Sequence, residues 1–472
     1  MKKLLCLCLA AIMIFSFAGC GKKEASTDGP VTITWYLPGD KQADIASVMD
    51  KVNEISEKEI GVKVDVQFID NSAYGERMKM MMASQTEMDI VFVGYCLRTD
   101  EVVKLGGLTD LTDMLPKVAP KLYKELIPDY VWQAAKVDGK IYAVPNIQIL
   151  CQYSTLGFRK DLLDKYGYDK EELAKSLDKL AEYLQVIKDK EPDYIPMRQM
   201  WAYYEENMEG SNGPVYVTKD TGKVVFKALA GGEEFYQRRH DWYERGFFRK
   251  DIDTNTDDAA MYKAGKFAVV NCGWAPGVSA ELTQTLGTEY VVASPWTPYM
   301  HTNTVVATEN GISRTSKHPE EALKFLQLVN ENDEFYNLLC YGIEGKHYNL
   351  DSNDRVEKVE NSGYDPNASW KFGNTTHAYL FKYQDADVRE KIVEANENAI
   401  KSKNLGLVYN TDAIQTELTQ VNNTINQYAI GYATKDISGA YKTLVSEIKK
   451  AGGDKVVAEY QRQVDEFRKN NK

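Results

Sequence analysis

The chain is predicted to fold as an α/β protein in two lobes, completed by a helical C-terminal region. Three observations carry that expectation. From Val31 onward about 440 residues rich in apolar and aromatic types follow one another, a length at which one core usually divides into two. The first of these residues alternate strand and helix, an order that yields a mainly parallel sheet flanked by helices. Beyond Asp385 the apolar spacing is mostly helical.

Val31 to Trp35 alternates like a strand and stops at Pro38-Gly39, a turn signal. Ile45, Val48, Met49, Val52 and Ile55 then fall on one helical stripe. Val62, Val64, Val66 and Phe68 alternate with Lys63, Asp65 and Gln67, a strand with one wet face. Met78, Met81 and Met82 mark another helix, and Ile90 to Val93 is a short buried strand. In such sheets ligands sit beyond the carboxyl ends of strands, which directs attention to the loops around Tyr36 to Asp40 and around Tyr95. A second block opens near Ile141 and continues through a mostly uncharged run, Ile147 to Phe158. Asp169 with Glu172 resembles a capping box, and Leu173, Leu177, Leu180, Leu184 and Ile187 continue that helix. Tyr216 to Val225 reads as a hairpin, with Phe267 to Cys272 and Tyr290 to Ala293 as later strands. Helical periodicity returns near 387–403, 411–430 and 453–469.

The amino terminus speaks to location. Lys2 and Lys3 precede an apolar run from Leu4 to Ala18 that is interrupted only by Ser16 and is too short to span a bilayer. Ala18-Gly19-Cys20 follows, the layout of a secretory signal with a cysteine at the cut site, as in a lipobox. Phe17 stands where that pattern prefers leucine. Residues 1–19 are therefore expected to leave as a lipoprotein signal peptide, with Cys20 lipidated at the new terminus. Gly21 to Pro30 is small, charged and turn-forming, and reads as a tether over residues 20–30. The net charge of −12 becomes −14 once Lys2 and Lys3 are lost, and no lysine- or arginine-dense face appears, which argues against a nucleic-acid partner. Four cysteines remain, Cys96, Cys151, Cys272 and Cys340, widely spaced and expected as buried thiols, although export permits disulfides.

Several stretches resemble the family 1 extracellular solute-binding proteins of ABC importers. Val137-Asp-Gly-Lys-Ile-Tyr-Ala-Val-Pro145 looks like the family's segment before its first inter-lobe crossover. Ala264 to Ala268, running on to Gly273-Trp274, resembles its glycine-lysine strand ending in a site-edge tryptophan. His318 to Leu326 resembles the helix after the second crossover, while Tyr341 to Tyr348 and Trp370 to Asn374 look like a lipoprotein branch with a distinct C-terminal domain. The resemblance implies a Venus-flytrap fold of the periplasmic-binding-protein type, class II-like, that takes carbohydrate and catalyses nothing. Crossovers are then expected near Asn146–Gln152, near Trp296–Val306 and after Tyr348. The N-terminal lobe would comprise 31–147 plus about 303–348, and the C-terminal lobe 148–302 plus about 349–472. The expected partners are a carbohydrate, permease subunits and, through the lipid, the outer face of the cytoplasmic membrane. A monomer without metal or cofactor suffices.

A sugar offers hydroxyls at its rim and apolar patches on its faces, so its site needs aromatic plates and orienting polar groups. Tyr36 and Asp40 flank the first strand's end, Asp40 alternatively capping the next helix. Tyr95 follows the third strand, and Gln148 lies at the first crossover. Trp274 is the strongest candidate plate. Trp296 marks the second crossover, with core packing as the alternative. Arg198 and Trp201 occupy a loop after two prolines from which they could reach the cleft, and Tyr341, Glu344, Trp370 and Asn374 come from the C-terminal motifs, with a structural role as their alternative. Asp251, Asp253, Asn255 and Asp257 alternate as in a calcium loop, but Thr256 and Tyr262 stand where glycine and glutamate are needed, so a solvated turn is expected. The rival class is an exported carbohydrate-active enzyme. GxSxG, HExxH, P-loop and GxGxxG motifs are absent, though a pair of glycosidase carboxylates stays open among 69 acidic residues. A peptide or polyol as cargo is a third reading.

Overall fold

The computed structural model describes residues 29–151, 154–211, 213–255, 257–294 and 296–471. The signal peptide, Cys20 and most of the tether lie outside them. Two sheets organise the chain, built from β1 (Val31–Pro38), β2 (Val62–Ile69), β3 (Ile90–Gly94), β4 (Ala143–Pro145), β5 (Ser154–Arg159), β6 (Ile195–Met197), β7 (Phe267–Gly273), β8 (Tyr290–Ala293) and β9 (Thr308–Ile312).

The first sheet runs β2-β1-β3-β9-β4. β1 is parallel to both β2 and β3, whereas β9 is antiparallel to β3 and β4. Period-two alternation places Ile33, Trp35 and Leu37 wholly inside. The helix Ile45–Ile60 presents Val48, Met49 and Val52 to the core and ends at Gly61 in the left-handed region. The second sheet runs β8-β5-β7-β6 and carries a separate core of Leu156, Phe158, Leu180, Leu184, Ile187 and Trp242. The architecture is the two-lobed α/β arrangement expected. The single helix anticipated from Asp169 to Ile187 is two. Asp169 accepts from the Glu172 amide, and Ser176 breaks the helix and caps the next, Leu177–Lys190.

The chain crosses between lobes after β4, between β8 and β9, and a third time after residue 381. Residues 349–381 correct the expected division, which gave everything beyond about 349 to the C-terminal lobe. Val356, Tyr364, Phe372 and Ala378 are buried in the first lobe's core. Tyr364 donates to the Leu339 carbonyl and Tyr336 to that of Ser369, both at 2.8 Å. The third passage returns along the second, Ile400–Lys401 pairing in parallel with Tyr299–Met300.

A third core is mixed rather than helical. The small sheet Met208–Gly210, Val215–Thr218 and Val224–Phe226 packs Val215, Val217 and Phe226 against Leu444, Ile448, Val456 and Val464 of the C-terminal helices. One of those helices, Ile437–Lys450, was not expected, although Ile437, Tyr441, Leu444 and Ile448 form a helical stripe. Among the described residues the cysteines are Cys96, Cys151, Cys272 and Cys340, all free; Cys151 and Cys340 are buried, whereas Cys96 and Cys272 are half-buried. In the calcium-like turn, Asp253 is engaged by the Tyr432 and Ala433 amides at 2.9 and 2.8 Å.

Candidate functional site

The carboxyl edge of the first sheet is assembled by close backbone approach. Gly94 closes β3 with φ +130°, and a Cβ there would lie 2.2 Å from the Ala307 carbonyl oxygen of the second crossover. Only glycine fits. That approach lets the Tyr95 amide bond Ala307 at 2.9 Å and leaves the tyrosine ring 53% exposed. Its hydroxyl donates to Asn71 Oδ1 at 2.8 Å. Partial burial and neighbouring Cys96 push its hydroxyl pKa up to about 12, so it remains a neutral donor.

Beside Tyr95 stands Trp370, their ring centroids 5.7 Å apart and tilted by 54°. Phe92 meets both rings edge-on from below, at 5.8 and 6.3 Å. Trp370 is held through its backbone. Asn146 Nδ2 donates to the Trp370 and Lys371 carbonyls at 3.2 and 2.9 Å. Asn310 Nδ2 also donates to the Lys371 carbonyl at 2.9 Å and to Asn146 Oδ1 at 3.0 Å. Trp35 Nε1 completes the net by donating to Asn310 Oδ1 at 2.9 Å. Lys371 itself is 3% exposed. Its ammonium lies 4.6 Å from the Trp370 ring centre and donates to the Pro38 carbonyl. Burial lowers its pKa, opposed by Cys96 and Asp40. Gln148 closes the group, its Nε2 donating to Thr308 Oγ1 at 2.8 Å.

Tyr95, Trp370, Gln148 and Asp40 are thus gathered at one sheet edge. Asp40 does not cap the next helix; Asp44 occupies that position. Trp274, at the end of β7, packs across onto the first lobe's core and lines a cavity of about 440 Å³ with Pro276, Asp385, Lys391 and Asn398. Trp296 packs half-buried on the second lobe's core.

Five of the expected residues are placed or engaged in other ways. β1 continues past Tyr36 to Pro38, so that ring is half-buried beside Asp65, Asp89 and Arg77, and not at a strand end. Arg198 is committed to Asp258 (2.8 and 2.9 Å) and stacks 4.2 Å over Tyr262. Trp201 is buried in the second lobe. Tyr341 is buried with its hydroxyl on the Tyr379 carbonyl at 2.8 Å. Asn374 caps the short turn Thr375–His377. Glu344 is exposed in the following turn, near Tyr348 and Tyr379. Lys371, Asn146, Thr308 and Asn310 escaped notice. Lys371 adjoins Trp370 in a motif already singled out, but nothing local marks a lysine as buried.

This two-lobed fold, with aromatic rings at a sheet edge beside the crossovers, defines a class of binding proteins, and sequence comparison agrees. The model for bacterial extracellular solute-binding proteins matches residues 39–334, and the chain belongs to that family. A domain of unknown function, DUF3502, matches residues 403–469. The chain is a solute-binding protein and not an enzyme.

Among its relatives is a carbohydrate ABC transporter substrate-binding protein of Streptococcus pneumoniae serotype 4. It is 30% identical over 481 residues, spanning 97% of this chain and 95% of that protein. The crystal structure of the N-glycan transport solute binding protein NgtS from Streptococcus pneumoniae superposes with a TM-score of 0.83 at 28% identity, covering 94% of this chain and all of that one. Its complex with Man5GlcNAc gives 0.72 at the same identity, covering 94% and 99%.

Proposed function

We propose that this protein captures an oligosaccharide between its lobes and delivers it to the permease of an ABC importer, with mannose-containing N-glycan fragments as first candidates. The Tyr95–Trp370 pair carries the proposal. An aromatic pair, Tyr95 exposed and Trp370 half-buried, with amide and hydroxyl groups beside it matches a sugar's apolar face and hydroxyl rim. Asp40 and Gln148 supply rim contacts, and Trp274 offers a plate from the other lobe. The relatives point to the same ligand class.

The mechanism is hinge closure. Similarity to NgtS drops from 0.83 to 0.72 in the Man5GlcNAc complex at an unchanged 28% identity, so the difference lies in shape. A solute drives closure only by binding the closed form better. The first lobe comprises residues 31–147 and about 303–381, and the second lobe and C-terminal region take the remainder. Lipidation at Cys20 keeps the pair at the outer face of the cytoplasmic membrane, and one copy is sufficient.

Calorimetric titration with Man1GlcNAc, Man5GlcNAc and a wider glycan panel tests this reading. Trp370→Ala is expected to weaken binding by about 1–3 kcal/mol. A folded protein indifferent to every saccharide would sink the reading. Cys20→Ser is expected to release the protein from the membrane fraction; retention there removes the anchor.

A further inference from the structure

β9 divides its side chains between the two faces of the first sheet. Thr308 and Asn310 turn toward Gln148, Lys371 and Trp370, as described above. Glu309, between them, turns to the opposite face and is wholly buried. There it forms part of the wall of a cavity of about 330 Å³, with Tyr95, Arg98, Asp100, Lys136 and Asn303. Thr99 donates its hydroxyl to Glu309 Oε2. The second carboxyl oxygen, Oε1, has no hydrogen-bond partner, an exception in a folded interior.

We infer that this cavity is a second saccharide pocket, taking one terminal sugar ring of a ligand whose chain crosses the Tyr95–Trp370 floor. The inference rests on the oligosaccharide reading above and adds a place within it. Tyr95 lines the cavity and also forms the aromatic pair, so it is the point at which a chain crossing that pair would turn in. The size is at the small end of ligand cavities, about 300–1,000 Å³, which suits a ring and not a chain.

The chemistry favours a neutral, hydroxyl-bearing occupant. Burial, reinforced by Asp100, pushes the Glu309 carboxyl up to about 8, so it keeps its proton at neutral pH. A neutral carboxyl both donates and accepts, as a sugar hydroxyl does. Asp100 is already forked by Arg98, with Nε–Oδ1 at 3.0 Å. An anion would meet Asp100 at close range. Among the described residues no group of three or more acidic, histidine or cysteine side chains is placed to hold a metal ion.

The test is calorimetric titration of the full chain with Man1GlcNAc and Man5GlcNAc, using wild type, Glu309→Leu, Glu309→Gln and Trp370→Ala. Glu309→Leu is expected to lose about five- to tenfold in affinity for Man5GlcNAc, the scale of one lost hydrogen bond, with Man1GlcNAc within about twofold of wild type. Glu309→Gln keeps a donor and an acceptor and is expected to bind both glycans normally. Wild-type affinity for Man5GlcNAc should fall above pH 8 as Glu309 ionises beside Asp100, with Arg98 and Lys136 the other charges facing it, while Glu309→Gln stays flat. Equal binding by Glu309→Leu and wild type, alongside weakened binding by Trp370→Ala, removes the pocket and leaves the cleft. Equal losses for both glycans also overturn the pocket, because they report a structural role. A folded wild type that binds neither glycan ends the saccharide reading, and the pocket with it.

Discussion

Glu309→Gln is expected to stabilise the unliganded protein at neutral pH, and the size of the gain follows from the burial of the acid. In the unfolded chain this carboxyl ionises near its ordinary 4.5, and in the fold it holds its proton to about 8. Between those values the unfolded state binds fewer protons, so stability falls as pH rises, by about 1.4 kcal/mol per unit. Below 4.5 the penalty vanishes, and above 8 both states are ionised and it levels off. At pH 7 it has grown to about 3 kcal/mol. Glutamine has no proton to lose, and its carbonyl can accept from Thr99 as Glu309 Oε2 does. Differential scanning calorimetry from pH 4 to 8 should show the two proteins melting together at the acid end and separating steadily toward pH 8. A gap that stays constant with pH would refute the reasoning, since a packing or hydrogen-bond effect carries no proton dependence.

Three further outcomes follow from the same geometry. Trp201→Ala, which empties a buried site in the second lobe, should cost about 3–5 kcal/mol in denaturant unfolding, with glycan affinity unchanged in the fraction that folds. Gly94→Ala drives a Cβ to 2.2 Å from the Ala307 carbonyl; unfolding should register a loss of more than ~1 kcal/mol, since the backbone must also leave φ +130°. Glu209→Ala strands three donors, Tyr299 from the second crossover and Ser402 and Asn404 from the third. At about 1–3 kcal/mol for each buried group left unsatisfied, urea titration should detect a loss of several kcal/mol.

How much of this was legible in the sequence depended on range. The strand Tyr290–Ala293 could be bounded from its residues alone, and β1 stops at the Pro38-Gly39 turn that the sequence marks, because alternation is a local property. Within β1 the site residue was misjudged. Tyr36 was set at the strand's carboxyl end, but pairing runs past it to Pro38 and leaves its ring half-buried, whereas Tyr95, named by the same rule, stands exposed at the edge. The tryptophans show the deeper limit. Trp201 lies in a loop and Trp370 in the short helix Ser369–Phe372, and no apolar periodicity within ten residues separates them. Trp201 is buried in the second lobe because the core it joins also holds Phe235 and Trp242, more than thirty positions away.

Trp370 is held half-exposed by contacts that are longer still. Its backbone is fixed by Asn146, 224 positions earlier, and the same net reaches Trp35 through Asn310, a separation of 275. Each of these asparagines would pass in the sequence for an ordinary strand polar residue. Buried side-chain amides of this kind must be satisfied wherever they sit, and here they are satisfied by one another and by the carbonyls of residues 370 and 371. Their pairing therefore fixes the backbone that carries the Trp370 ring, over which the Lys371 ammonium lies. The segment 349–381 was misassigned for the same reason: its aromatic residues announced burial, but the core that receives them is chosen by strands far away in the chain. A binding site assembled across crossovers is bound to be less readable than the sheet beneath it, since the crossovers bring together residues that no local pattern connects.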